Sequence, residues 1–472
     1  MIRLPLFLGI AAALAACVRP VPAVEDGTQR RQDQASLAVA LEKEVERRAA
    51  TKARGEPLWP GFDPLAVPLA VYDGERTFLF RHPVPPQGFM QVSGAGFATY
   101  AFKGRHEAVT ANTNAEVGGV PTATILIDGP QPRRALPDLA AVAIHEAFHV
   151  YERAHHPGWV GNEADLFTYP TDSAELLALR RLETDALRQA LAADEASGAK
   201  CWARQALALR RERYARMDPA FAAYERGTEL NEGLATYVEM RAAGRRSVDL
   251  PPSEFGPAEV RRRAYATGAA VALLLDQFMP GWTTTLDADD RQTLDAALAA
   301  AVGPGNACMF GDAAVAGAEQ QARADVAALA AGREQRLVEF EGKPGWRVVV
   351  EVAGGEPLWP QGFDPLNVER LAAQRVLHTR FLRLGNGAGR LEVLNAVALT
   401  EAVGSHPLFQ GVRRVVLTGL VEPQVSEAEG KVNVRAPGLT LEFNGATVTR
   451  SDQRVTVRLG SPVGHAATEP DR

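Results

Sequence analysis

The chain contains the segment His145-Glu146-Ala147-Phe148-His149. On a helix, residues i and i+4 share one face, so both imidazoles can reach a single divalent metal. Glu146, one position on from the first histidine, can reach a water at that metal without ligating, which is where a general base is needed. Val142, Ala143, Ile144, Phe148 and Val150 surround the pair and predict an apolar helix rather than a polar loop. The chemistry that follows from this pattern is zinc-assisted hydrolysis. A catalytic zinc also needs a third protein ligand and one open position.

Two residues compete for the third place. His155 lies six positions after His149, but reaching back to the metal would need a chain break at 152, where a glutamate stands. Nothing interrupts the helix before Pro157, so His155 is expected to continue round it and point away. The second candidate is Glu232, in Asn231-Glu232-Gly233-Leu234-Ala235. This segment resembles the Asn-Glu-Gly-Phe-Ala segment of gluzincin metallopeptidases, the thermolysin-like clan, and is nearest in motif to the zinc aminopeptidases. The resemblance implies one zinc per chain held by His145, His149 and Glu232, with Glu146 as general base in peptide-bond hydrolysis. It also implies a mainly helical thermolysin-like peptidase domain with a small N-terminal sheet.

A third segment, Tyr265-Ala266-Thr267-Gly268, is similar to the Tyr-x-x-Gly helix of the same enzymes. By that resemblance Tyr265 donates a hydrogen bond to the oxyanion; the other reading is a tyrosine half-buried on an amphipathic helix. One departure is plain. The Gly-x-Met-Glu-Asn segment that holds a substrate's free amine in the aminopeptidases has no counterpart, and Glu116 is the nearest substitute. The absence counts against exopeptidase activity and leaves an endopeptidase or another amide hydrolase open. Glu229 and Glu239 share a helix face with Glu232 and are candidates to orient the imidazoles, or simply a solvated face. Arg261, Arg262 and Arg263 could contact a substrate carboxylate, but read chiefly as a surface charge run.

The elements that must position these groups follow from periodicity. A charged, Ala-rich helix is expected over 29–54, then short β-like runs within 55–132 that make a small sheet. Helical spacing covers 139–156, 173–196, 199–217, 219–243, 257–279, 287–302 and 313–338. After Pro344 the chain reads as strands, with one helix over 367–377. The resulting fold class is α+β, divided as a signal peptide (1–17), a tether and helix (18–54), the peptidase-like unit (55–340) and a β-rich C-terminal domain (341–472).

Length and composition set the remaining bounds. At 472 residues the chain is too long for one ordinary core. A net charge of −6 gives no basic field for nucleic acid. Leu14-Ala15-Ala16-Cys17 ends a short apolar run and resembles a bacterial lipobox, which implies acylation at Cys17 and, with Val18 following, an outer-membrane anchor. An ordinary secretory signal is the alternative. In an exported chain Cys201 and Cys308 suggest a disulfide, against two buried thiols. Gly55-Glu-Pro-Leu-Trp-Pro-Gly-Phe-Asp-Pro-Leu65 recurs at 355–366 with one inserted residue, read chiefly as a loop that packs similarly in two places. The expected partner is a peptide or protein substrate, with membrane contact through the N-terminal lipid only. The competing function is a catalytically inactive metal-binding envelope lipoprotein.

Overall fold

The computed structural model describes residues 27–53, 57–92, 98–127, 134–251, 255–365, 367–404 and 406–460. Cys17 and the rest of the predicted signal segment lie outside them. The described part is a mixed α and β fold: helices dominate the first part, and a β-rich region follows.

Helix α1 (Gly27–Ala53) is followed by a mixed six-stranded sheet. Its strands are β1 (Leu69–Tyr72), β2 (Arg76–Phe80), β3 (Met90–Val92), β4 (Thr99–Lys103), β5 (Thr113–Val117) and β6 (Val120–Leu126). Strands β1 and β6 run parallel to each other, and β5 is an edge strand antiparallel to β6. Strand β1, buried throughout its first three residues, and the polar β5 are not prominent in the sequence pattern. A fully buried short strand and a half-exposed edge strand both lack clean alternation.

Helix α2 (Leu136–His155) carries the histidine pair. Pro137 sits at its first turn with Asp138 beside it, and Arg153 and His155 sit in its last turn, as the helix dipole favours. Every residue from Leu139 to His149 is buried, so α2 is a core helix lying against the sheet. The first copy of the repeat braces it from behind. Trp59 packs edge-on against Phe148 at 5.5 Å, Phe62 does so at 5.1 Å, and Tyr151 donates a hydrogen bond to the Pro60 carbonyl.

Beyond α2 come α3 (Glu163–Thr168), α4 (Ala174–Ala192), α5 (Ala196–Tyr214), α6 (Pro219–Thr228), α7 (Leu234–Ala243), α8 (Val260–Phe278), α9 (Trp282–Asp287), α10 (Leu294–Val302) and α11 (Asp312–Gly342). Helices α4 and α5 form an antiparallel pair inside the long gap between His149 and Glu232. Cys201 on α5 and Cys308 after α10 are joined in a disulfide. It closes a sequence separation of 107 residues, so by chain entropy its removal should lower unfolding free energy by about 4 kcal/mol. Denaturant unfolding of a Cys201→Ser, Cys308→Ser double variant checks this; an unchanged midpoint would contradict it.

The β-rich region has two sheets, of seven and six strands among the described residues, that share one apolar core. Strand β7 (Trp346–Val352) is buried on both faces: Val348 and Val350 point into that core, while Val349 packs with Leu337 and Phe340 of α11. The second copy of the repeat enters strand β8 (Trp359–Phe363) at the edge of the six-stranded sheet. The two copies do not pack alike. Trp59 is fully buried, whereas Trp359 is 40% exposed. The helix expected over 367–377 is instead a hairpin of β9 (Val368–Ala372) and β10 (Arg375–His378). Pairing of β10 with the strand Ala398–Ala402 outweighs the local helix propensity of that stretch.

Candidate metal centre

His145 and His149 project from one face of α2, 6% and 7% exposed. Their Nε2 atoms are 3.1 Å apart. Glu232 is brought to the same point by an irregular stretch. Between α6 and α7 the chain makes one π-helical turn, Glu229–Gly233, and the carboxylate leaves from it. Such single π turns are rare and recur at functional sites. Glu232 Oε2 lies 3.5 Å from His145 Nε2 and 3.2 Å from His149 Nε2. The three atoms thus form a nearly equilateral triangle. Ligands at ~2.0–2.1 Å around a tetrahedral zinc are separated by about 3.3 to 3.4 Å, so the triangle has the size of one face of that tetrahedron. Among the described residues these three are the group able to hold a metal ion.

Neighbouring groups hold the imidazoles by their other nitrogens. His149 Nδ1 is 2.7 Å from Glu152 Oε2, which also accepts from Asn231 Nδ2 at 3.0 Å. His145 Nδ1 faces Glu239 Oε2 at 3.2 Å, an ion contact rather than an aligned hydrogen bond. Carboxylates in this position fix ring orientation and raise ligand basicity. Glu239 therefore stands where the sequence allowed it to stand. Glu229 does not: Arg210 grips it bidentately at 2.7 and 2.8 Å and Thr267 Oγ1 donates to it at 2.6 Å.

The arginine run is not a surface feature as a whole. Arg262 is largely exposed, but Arg263 is buried and contacts Glu183 and Glu225. Arg261 donates to Glu232 Oε1 at 2.5 Å and to Glu163, so it belongs to the centre. Charged side chains on three successive helical positions face different ways, and a run alone does not show which face is covered.

Tyr265 stacks on His145, with ring centroids 6.3 Å apart and planes 17° off parallel. Burial and, next, Glu232 push its phenol well above the usual value. It reaches this place because Gly233 and Gly268 touch backbone to backbone: a Cβ on Gly233 would lie 2.7 Å from the Gly268 Cα. The glycines of two separate sequence segments thus serve one contact, which sets α8 against the π turn.

The charge balance of the centre is acidic. Glu146, Glu152, Glu232 and Glu239 converge on two imidazoles, with Arg261 on Glu232 and Arg245 on Glu239 at 3.0 Å as nearby cations. Burial opposes a charged imidazole, yet Glu232 and Glu239 outweigh it and lift His145 to about 9. Burial likewise disfavours the Glu232 carboxylate, but His149 and His145 hold it below the usual carboxylate range. Burial pushes Glu152 up to about 7 against the pull of His149, and pushes Glu146 up as well. A divalent ion bound there would need both imidazoles neutral, so its binding would release any proton they hold.

His155 is exposed at the far side of α2, stacked on Tyr151 at 4.2 Å with its Nδ1 on the Tyr151 carbonyl. Replacing His155 with alanine should leave zinc content unchanged by elemental analysis; a loss of metal would put it back among the ligands. Glu116 is exposed on the edge strand β5. The sequence reasoning missed Glu152, Asn231, Arg261 and Glu163. Glu152 had a usable signal, lying at i+3 from His149 on the same helix. Glu163 had none.

Comparison with known protein families, with curated proteins and with solved structures finds no match to this chain.

Proposed function

We propose that the chain is a zinc metallopeptidase of the gluzincin type, with zinc held by His145, His149 and Glu232. The observation that carries this reading is the triangle of two Nε2 atoms and one carboxylate oxygen, 3.1 to 3.5 Å on a side, on the residues that resemble that family. The thermolysin-like fold and the division at about residue 340 belong to the same proposal.

When bound, zinc supplies a Lewis acid that acidifies water towards pKa ~7 and polarises a carbonyl. The residues do the rest. Glu146, buried at the rim of the histidine pair, takes the proton from water on its carboxylate and returns it to the leaving amine. Tyr265 donates its O–H to the carbonyl oxygen as charge develops there. Glu152, Asn231 and Glu239 keep the imidazoles in the orientation that presents Nε2. Strand β5 lies at the edge of its sheet, and such an edge can pair with an extended peptide, which favours a peptide or protein as substrate. Anchoring through an acylated Cys17 in the cell envelope completes the proposal. Among the described residues, no helix is long and apolar enough to cross a membrane.

A second reading, a metal-binding envelope protein without activity, draws on the burial of the donors, all under 9% exposed. Against it, a structural ion has no use for Glu146. A peptide library incubated with the zinc-loaded chain and read by mass spectrometry separates the two. Cleavage stopped by a chelator and restored by zinc is expected. Intact peptides in a metal-replete sample would favour the second reading.

A further inference from the structure

Helix α3 touches both halves of the chain through its two ends. At its start, Glu163 binds Arg261. The other amino group of Arg261 donates to Glu232 Oε1 at 2.5 Å, and its guanidinium lies 5.8 Å from the centre of the Tyr265 ring. With Oε1 taken by the arginine, Oε2 is the oxygen that faces the two imidazoles. Arg261 therefore sets which oxygen Glu232 presents, and Glu163 holds Arg261 where it can do so.

The other end of α3 is buried in the β-rich region. Phe167 is 3% exposed and belongs to the core shared by the two C-terminal sheets. Its ring lies 5.5 Å from Phe363 of β8, 5.8 Å from Phe409 and 5.8 Å from His406. His406 Nε2 is 2.9 Å from the Ala164 carbonyl, a second tie in the first turn of α3. Asn162 caps the helix through the Ala164 amide. A helix of six residues has little stability of its own, so its position is set by what it packs against.

We infer that the β-rich C-terminal region positions the third metal ligand through α3, with Glu163 and Arg261 as positioning residues. This rests on the metallopeptidase reading above. If α3 lifts from the C-terminal sheets, Glu163 leaves Arg261, and Glu232 is freed to rotate or to offer both oxygens. The C-terminal region thereby acts on the centre without contributing a ligand. The second copy of the repeat takes part, because Phe363 comes from it.

The test uses the full chain and three variants, Glu163→Gln, Arg261→Gln and Phe167→Ala. Zinc affinity is measured by competition with a chelator, the visible absorption of the cobalt(II)-loaded protein is recorded, and thermal unfolding of the metal-free chain is followed alongside. Each variant should bind zinc about 10- to 100-fold more weakly, the range for groups that orient a metal ligand. Each should also alter the cobalt spectrum, and the unfolding midpoint of Glu163→Gln should move little. Combining Glu163→Gln with Phe167→Ala should cost no more than the worse single change, since both act through one helix. Wild-type zinc affinity and cobalt spectrum in Glu163→Gln and Arg261→Gln would overturn the inference even if Phe167→Ala fails to fold. So would additive losses in the double variant. A wild-type chain that binds no zinc would instead remove the reading on which the inference rests.

Discussion

Replacing Glu146 with glutamine should leave zinc bound and slow peptide hydrolysis by about 10²–10⁴-fold, the usual worth of a positioned general base. The substitution keeps shape and hydrogen-bonding reach but removes the group that accepts a proton. Glu146 is buried at the histidine pair on the same helix, and burial lifts its carboxyl above the ordinary value. It is not a member of the triangle formed by His145, His149 and Glu232. Metal content should therefore be unaffected, which separates this variant from any ligand substitution. Undiminished turnover in a metal-replete Glu146→Gln sample would remove Glu146 as the base.

A comparably large effect, on stability, is expected from Glu183→Gln. Behind the candidate centre lies a buried charge cluster in which Glu183 contacts three arginines: Arg210 at 2.8 Å, Arg213 at 2.8 Å and Arg263 at 2.9 Å. Glu225 shares Arg213 and Arg263, and Glu229 shares Arg210. Three carboxylates thus meet three guanidiniums on α4, α5, α6, the π turn and α8. Removing one partner leaves buried positive charge uncompensated, which costs about 3–5 kcal/mol. Denaturant unfolding measures this, and a loss under 1 kcal/mol would show the cluster to be solvated in solution.

The pH dependence gives the sign independently. Burial disfavours the Glu183 and Glu225 carboxylates, but the arginines, Arg213 first, hold both below the usual range. Groups with depressed folded-state values contribute stability above the unfolded value, about 4.3 for glutamate, and lose it as pH falls through the folded value. Glu229 runs the other way, pushed up by burial ahead of Arg210. Wild-type protein should thus lose stability steeply below pH 4, and Glu183→Gln should lose part of that slope.

The histidine pair and Glu146 were legible because their geometry is local: four residues of helix place them, and the apolar flanks show that the helix is buried. Glu232 was legible by resemblance, yet the π turn that aims it was not, since nothing in Glu229–Gly233 departs from helical periodicity. The contact of Gly233 with Gly268 joins two segments that the sequence marked separately. Arg261 was misread because it and Glu163 are 98 positions apart and belong to different helices. A charge run without its distant partner reads as solvent-facing. The repeat misled for a related reason. Its two copies carry the same residues, but one closes over α2 and the other joins a sheet edge, so tertiary surroundings decide the burial of Trp59 and Trp359. The hairpin at 368–378 shows strand pairing overriding local propensity in the same way.

Zinc content by elemental analysis of the purified chain, beside Glu232→Ala, tests the metal itself. About one zinc per chain, largely lost in the variant, is the predicted result. Full zinc in Glu232→Ala would show that the third ligand lies elsewhere, and no zinc in the parent chain after metal addition would contradict a metallopeptidase altogether.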